Sequence, residues 1–191
     1  MASGESLRSN PHQALTPAPW VARFAPLVTA GGRVLDLACG YGRHARYFAG
    51  RGHPVLAVDR DAAALATLAG IDGIEVRRAD LEGEPWPLAG QRFDALVVTH
   101  YLHRPLFDDL LAALQPDGVL LYETFAQGNA AFGKPSRPEF LLAPDELLER
   151  AGGRLRVVAF EQGHVAAPFP AVIQRMCALG MNRVWPFPLP L

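Results

Sequence analysis

The sequence has little of several features that mark particular classes of protein. Its 191 residues include only two cysteines, too few for a disulfide framework and without metal-binding spacing. Lysine occurs once, at Lys134, and a net charge of −1 argues against a nucleic-acid surface. No apolar run reaches the roughly eighteen residues of a membrane-spanning helix, so none is expected.

Half of the residues are hydrophobic, and a chain of this length can bury one core. We therefore expect a single domain over residues 19–180. Residues 1–18 should form a flexible tail without the apolar segment of a secretion signal, and residues 181–191 a proline-rich tail. Cys39 and Cys177 should be buried free thiols. We expect a cytoplasmic monomer or homodimer without nucleic-acid or membrane partners.

The most informative segment is residues 33–45, which read RVLDLACGYGRHA. It predicts a buried strand, a glycine turn and the start of a helix. Residues 54–59 then form a second apolar strand that ends in Asp59. A strand, a Gly-x-Gly turn, a helix and an acid-tipped strand are typical of a nucleotide-binding βαβ unit. In such a unit Gly40 and Gly42 let the backbone approach a ligand, and Asp59 accepts hydrogen bonds from ribose hydroxyls.

The glycine turn fits more than one nucleotide. Gly40-x-Gly42-x-x-Ala45 also matches the dinucleotide pattern, which is a weak signal by itself. Asp36, four residues before Gly40, favours another ligand, because a carboxylate there repels a pyrophosphate. It suits a ligand with a positive ammonium and sulfonium, as S-adenosylmethionine has. An alternative interpretation is that Asp36 only caps the turn or helix that follows.

On these residues the chain resembles the class I S-adenosylmethionine-dependent methyltransferases over roughly residues 30–178. Asp36, Gly40 and Gly42 match the family's Asp/Glu-x-Gly-x-Gly-x-Gly motif, and Ala38 stands at the position of its first glycine. Within the superfamily, residues 40–47 look closest to the small tellurite-resistance-type and related small-molecule enzymes. The resemblance implies S-adenosyl-L-methionine as the cofactor.

The resemblance also implies roles for the ends of later strands. Asp59 corresponds to the family's ribose-binding acid, Asp80-Leu81 to its adenine-contacting pair, and Thr99 to the segment beside the methionine part of the cofactor. The full set of expected cofactor-binding residues is Asp36, Ala38, Gly40, Gly42, Asp59, Arg60, Asp80, Leu81 and Thr99.

Apolar runs alternate with helical segments along the chain. Strands are predicted at residues 33–38, 54–58, 74–77, 93–98, 118–124, 155–160 and 171–176. Helices are predicted at residues 20–27, 41–50, 61–69, 105–114 and 144–150. The alternation predicts an α/β fold with a doubly wound, mainly parallel sheet and a terminal antiparallel hairpin. The family resemblance implies seven strands in the order 3-2-1-4-5-7-6.

Candidate catalytic residues follow the fourth predicted strand. His100, Tyr101 and His103 stand where the family resemblance places the methyl acceptor, and histidine can act as a general base near neutral pH. Each histidine alone could instead orient a loop or be exposed. The long irregular segment 126–143 is a possible lid, with Phe132, Lys134 and Arg137 available to cover an acceptor.

These observations predict an S-adenosylmethionine-dependent methyltransferase that acts on an unidentified small molecule by in-line transfer, with no metal ion. One alternative is a dinucleotide-dependent oxidoreductase, although no substrate domain is evident. Another is a regulatory or partner protein that binds the cofactor without catalysis, since a fold does not fix a function.

Overall fold

The computed structural model describes residues 16–83, 85–187 and 189–190. Most of the predicted N-terminal tail therefore lies outside the described residues, although Ala18 is buried. The strands are β1 Val34–Leu37, β2 Val55–Asp59, β3 Ile74–Arg78, β4 Phe93–Thr99, β5 Leu114–Phe125, β6 Leu155–Val165 and β7 Ala171–Gly180. The α-helices are α1 Pro19–Phe24, α2 Arg43–Ala49, α3 Ala62–Ala66, α4 Phe107–Ala112 and α5 Glu146–Ala151.

The strands form one sheet with the order 3-2-1-4-5-7-6, which confirms the predicted topology. β1 pairs in parallel with β2 and β4, and β2 with β3 and β4 with β5 are also parallel. β7 pairs antiparallel with both β5 and β6. The predicted terminal hairpin is therefore present at one edge of an otherwise parallel sheet.

Both faces of the sheet are covered. Because successive side chains of a strand point to opposite faces, β1 contributes to two separate cores. Leu35 and Leu37 of β1 belong to a core that includes α4 and α5. Val34, on the other face, packs in a core with α1, α2 and α3. All four β1 residues are buried, as expected for a central parallel strand.

Several element boundaries differ from the predictions. β5 begins at Leu114 rather than residue 118, because Leu114 pairs with Phe93 before the register shifts. The hairpin strands are longer than predicted, since β6 and β7 pair along their whole lengths. The predicted helix 105–114 is a 3₁₀ turn at Arg104–Leu106 followed by the short α4.

The carboxyl ends of the parallel strands bring the predicted site residues to one edge, where ligands bind in such sheets. The backbone is strained at two of these ends. Ala38 after β1 has φ 53°, and His100 after β4 has φ 55°. Left-handed backbone is unfavourable for residues other than glycine and is concentrated at functional sites. This edge is therefore the first place to look for chemistry.

Candidate functional site

A cavity of about 420 Å³ opens at the carboxyl ends of β1, β2, β3 and β4. It is lined by Ala38, Gly40, Tyr41, Asp59, Arg60, Asp61, Ala64, Ala79, Asp80, Leu81, Glu82, Thr99, His100 and Tyr101. Seven of the nine residues predicted to bind the cofactor belong to this wall. The strand ends thus gather the predicted residues from four separate parts of the sequence.

Asp59 is fixed by two backbone hydrogen bonds. Gly40 N donates to its Oδ2 at 2.7 Å, and Asp61 N donates to its Oδ1 at 2.9 Å. An ionised carboxylate offers about four acceptor positions, so one remains on each oxygen for a ribose hydroxyl. A Cβ built on Gly40 would meet nothing within 4 Å, which leaves open space beside the carboxylate. These features fit the adenosyl part of the expected cofactor.

Asp36 lies beneath the glycine turn and not on the cavity wall. Its Oδ2 accepts a hydrogen bond from Ala45 N at 2.9 Å, which is the capping role of the alternative interpretation. Burial raises its pKa to about 8, although the bond from Ala45 acts in the opposite direction. The positive charge of Arg43 also lowers that pKa. The predicted attraction between Asp36 and a cofactor ammonium stays a prediction.

His44 ties the first helix to the glycine turn. Its Nε2 accepts a hydrogen bond from Ala18 N at 3.1 Å, while its Nδ1 lies 3.9 Å from Asp36 Oδ1. Burial lowers the pKa of His44 to about 3, and the neighbouring Arg43 adds to the effect. The imidazole is therefore neutral at physiological pH, as its acceptor role at Nε2 requires.

Gly42 has a packing role in this structure. A Cβ built on it would lie 2.5 Å from Leu68 Cδ1, and its φ is 70°. Gly42 is buried and does not line the cavity. Its predicted contact with the cofactor stays a prediction. Ala38, by contrast, lines the cavity in a left-handed conformation, which explains why glycine is the family's residue at this position.

A second cavity of about 620 Å³ lies beside the first. It is lined by Glu82, His100, Tyr101, Leu102, Thr124, Phe125, Lys134, Pro135, Ser136, Arg137, Phe140 and Phe169. Lys134 and Arg137 come from the segment predicted to cover an acceptor. Phe132 does not join them, because it stacks on His164 with ring centroids 4.7 Å apart.

The two cavities share part of their walls. Glu82, His100 and Tyr101 line both. The Tyr101 hydroxyl is buried without a hydrogen-bond partner among the described residues, and burial raises its pKa above the usual range. Buried polar atoms are normally paired, so this hydroxyl fits a site that a ligand completes. His103 lies outside both walls, and its predicted catalytic role is not supported by a position in either cavity.

Arg104 and Glu146 form a hydrogen-bonded ion pair, called the clamp below, beside the loop that lines the second cavity. Arg104 donates two hydrogen bonds of 2.8 Å to Glu146, and its remaining donors reach the carbonyl oxygens of Glu139 and Leu141. Burial raises the pKa of Glu146, but the bonds from Arg104 and Ala143, together with the charges of Arg104 and Arg150, hold the pKa below its usual range. The clamp links the segment after β4 to the loop that carries Arg137.

Sequence reasoning missed the aromatic side chains of this wall. Phe125 ends β5, Phe140 lies in a 3₁₀ turn, and Phe169 lies in the turn of the terminal hairpin. The sequence identifies each of them only as a strand or loop residue, because the hairpin turn and the end of β5 are distant in sequence and meet only in the folded protein. Among the described residues no group of three or more His, Cys, Asp or Glu could hold a metal ion. The described helices are also too short or too polar to cross a membrane.

The fold and sequence agree with known methyltransferases. Residues 34–118 match the family model described as a methyltransferase domain. TehB from Haemophilus influenzae has a TM-score of 0.68 at 19% identity, over 81% of this chain and 59% of TehB. This chain thus spans less than two thirds of that relative. A comparison with curated proteins found no match.

Two further solved structures share the fold over more of their length. An S-adenosylmethionine-dependent methyltransferase from Mesorhizobium loti has a TM-score of 0.65 at 20% identity, over 87% of this chain and 100% of the other. The Burkholderia thailandensis 1,6-didemethyltoxoflavin-N1-methyltransferase has a TM-score of 0.60 at 23% identity, over 85% and 76%. Residues 34–118 thus match the model of a methyltransferase domain, and the chain shares its fold with these solved methyltransferases.

Proposed function

We propose that this protein methylates a small molecule bound in the second cavity, with S-adenosylmethionine in the first. The observation that carries the proposal is the shared wall formed by Glu82, His100 and Tyr101. A methyl group crosses between two ligands only where their sites adjoin. The toxoflavin relative, whose structure holds a small-molecule acceptor and S-adenosylhomocysteine, supports a small-molecule acceptor here.

The chain's own residues supply binding and orientation. Asp59 accepts the ribose hydroxyls at the two acceptor positions left by its backbone bonds, and Leu81 and Ala79 offer a buried apolar surface to the adenine. When bound, the cofactor supplies a methyl group on a cationic sulfur, and transfer leaves the bonding electron pair on that sulfur. Much of the acceleration then comes from holding the acceptor in line with the methyl group.

His100 is the residue we assign to proton removal. It lines both cavities, whereas His103 lines neither. An imidazole nitrogen of His100 takes the proton of a neutral acceptor atom, and Tyr101 positions that atom through its hydroxyl. An acceptor that is already anionic, such as a thiolate, needs only the positioning. Cys39 and Cys177 are free thiols, which supports placing the reaction in a reducing cytoplasm.

The test has two parts. Calorimetry with S-adenosylhomocysteine and with NAD⁺ should show tighter binding of the first, and tighter NAD⁺ binding would favour the oxidoreductase. Incubation with methyl-labelled S-adenosylmethionine and panels of phenols, thiols, amines and carboxylic acids should then release S-adenosylhomocysteine. Binding of S-adenosylmethionine without release of S-adenosylhomocysteine in any panel would favour a regulatory protein that binds the cofactor without catalysis.

His100→Ala and Tyr101→Phe probe the shared wall within the same assay. If His100 is the base, the wild-type rate rises with pH as the acceptor-facing base loses its proton, and His100→Ala removes that rise. His103→Ala is the matched control, since a second histidine outside both cavities should leave the profile unchanged. Unaltered activity in both His100→Ala and Tyr101→Phe would remove these side chains from the mechanism.

A further inference from the structure

One side of the second cavity is an aromatic wall. The His100 ring lies 5.0 Å from the Phe125 ring at a tilt of 30°, and 6.2 Å from the Phe169 ring. Phe125 and Phe169 are themselves 6.5 Å apart. Ring faces grouped at such distances offer stacking and edge contacts to another flat ring. The wall therefore fits a planar, apolar molecule better than a flexible polar one.

A second part of the same cavity is cationic. Lys134, Ser136 and Arg137 line it from one short loop. Lys134 is exposed and has no ion pair among the described residues, while Arg137 is paired with Glu139 at 2.9 Å and lies over the Phe140 ring at 4.9 Å. The positive charge of Lys134, the sole lysine of the sequence, is therefore less neutralised than that of Arg137.

The charges of the cavity are separated in space. Glu82, its acidic lining residue, belongs to the part of the wall shared with the cofactor cavity, whereas Lys134 and Arg137 line the acceptor cavity alone. An acceptor that enters with its reacting atom toward His100 would direct its other parts toward these cations. An anionic group there is attracted, and a cationic group is repelled.

We infer that the acceptor is a flat aromatic molecule that carries an anionic group, a carboxylate above all, on the part of the ring remote from the methylated atom. The ring packs against Phe125 and Phe169, and the carboxylate lies near Lys134 and Arg137. This inference rests on the proposed function, because it assumes that the second cavity holds the acceptor. It adds the chemical class that the cavity selects.

The test uses the protein saturated with S-adenosylhomocysteine and three probes that differ in one property each. Naphthalene-2-carboxylate has the ring and the charge, naphthalene-2-carboxamide has the ring alone, and acetate has the charge alone. Calorimetry should show the carboxylate binding about tenfold more tightly than the amide, because Lys134 contributes roughly fivefold and Arg137, already paired with Glu139, roughly twofold. Acetate should not bind measurably.

Variants assign the preference to the two cations. Lys134→Gln should remove most of the advantage of the carboxylate over the amide, and Arg137→Gln a smaller part, because Glu139 already neutralises Arg137. Phe169→Ala should weaken both aromatic probes equally. Arg154→Gln is the matched control, since Arg154 pairs with Asp108 at an exposed position outside the cavity.

Three results would overturn the inference: equal affinity for the carboxylate and the amide, an advantage that survives in the Lys134→Gln/Arg137→Gln double variant, or no binding by either aromatic probe. The proposed function is judged separately by release of S-adenosylhomocysteine with any small acceptor. Turnover of acceptors without a preference for anionic ones would support methyl transfer and refute only the inferred acceptor class.

Discussion

Replacement of Asp59 by alanine should weaken binding of S-adenosylhomocysteine strongly while the fold survives. In the free protein each carboxylate oxygen holds one backbone N–H, from Gly40 and from Asp61. Two acceptor positions remain for the ribose hydroxyls. A hydrogen bond to a charged group contributes roughly 1.5–3 kcal/mol, and the lower value applies because Asp59 is half-exposed. Two such bonds give about 3 kcal/mol, or a loss of about two orders of magnitude in affinity.

The assay must separate lost ligand contacts from a loosened turn. Asp94→Ala is the matched control, because the Asp94 Oδ2 also accepts a backbone hydrogen bond, from Arg33 N at 2.7 Å, but lies at the start of β4 on the opposite edge. Both variants should lose some thermal stability, and only Asp59→Ala should lose ligand affinity. A double-mutant cycle with the 2′-deoxy ligand sharpens the test. Removal of the 2′-hydroxyl should weaken binding of the ligand to the wild type and change its affinity for Asp59→Ala only slightly. Wild-type affinity in a folded Asp59→Ala protein would refute the assignment.

Three further changes test other parts of the structure. Gly42→Ala should destabilise the fold by about 1–3 kcal/mol in urea titrations, because the added methyl group collides with Leu68 and the backbone is left-handed; unchanged stability would contradict the packing role. Glu146→Gln should lower the free energy of unfolding by about 2 kcal/mol and speed proteolysis within residues 126–143, since Arg104 loses its charged partner; an intact loop would show that the clamp is dispensable. The raised pKa of Asp36, to about 8, means that its contribution to stability is complete below about pH 4 and is lost as pH rises through 8. Asp36→Asn should flatten that decline, and a decline identical to the wild type would place its origin elsewhere.

Local patterns predicted the architecture well, because β1, the glycine turn and β2 are encoded in contiguous apolar runs. The sequence could not distinguish a glycine that leaves space for a ligand from one that leaves space for a neighbouring side chain. Gly40 faces open space and Gly42 faces Leu68, yet both stand in the same motif. The difference depends on where Leu68, just after α3, packs, which no local pattern specifies.

The lining of the second cavity was less predictable for the same physical reason. Phe125 and Phe169 meet only because β7 pairs with β5 and brings the hairpin turn to the end of that strand. The clamp joins Arg104 to Glu146, which are 42 positions apart. The length and the Gly and Pro content of residues 126–143 predict a possible lid. Lys134 and Arg137 line the second cavity, and their contact with an acceptor stays a prediction.

We propose that a methyl group passes between the two cavities at His100 and Tyr101. The most direct measurement is a crystal structure of the protein with S-adenosylhomocysteine bound. We expect the ribose hydroxyls on Asp59 and the sulfur at the shared wall, facing the cavity that contains Phe125 and Lys134. A sulfur directed away from that cavity, or an adenosyl group bound elsewhere than Asp59, would exclude methyl transfer at the shared wall.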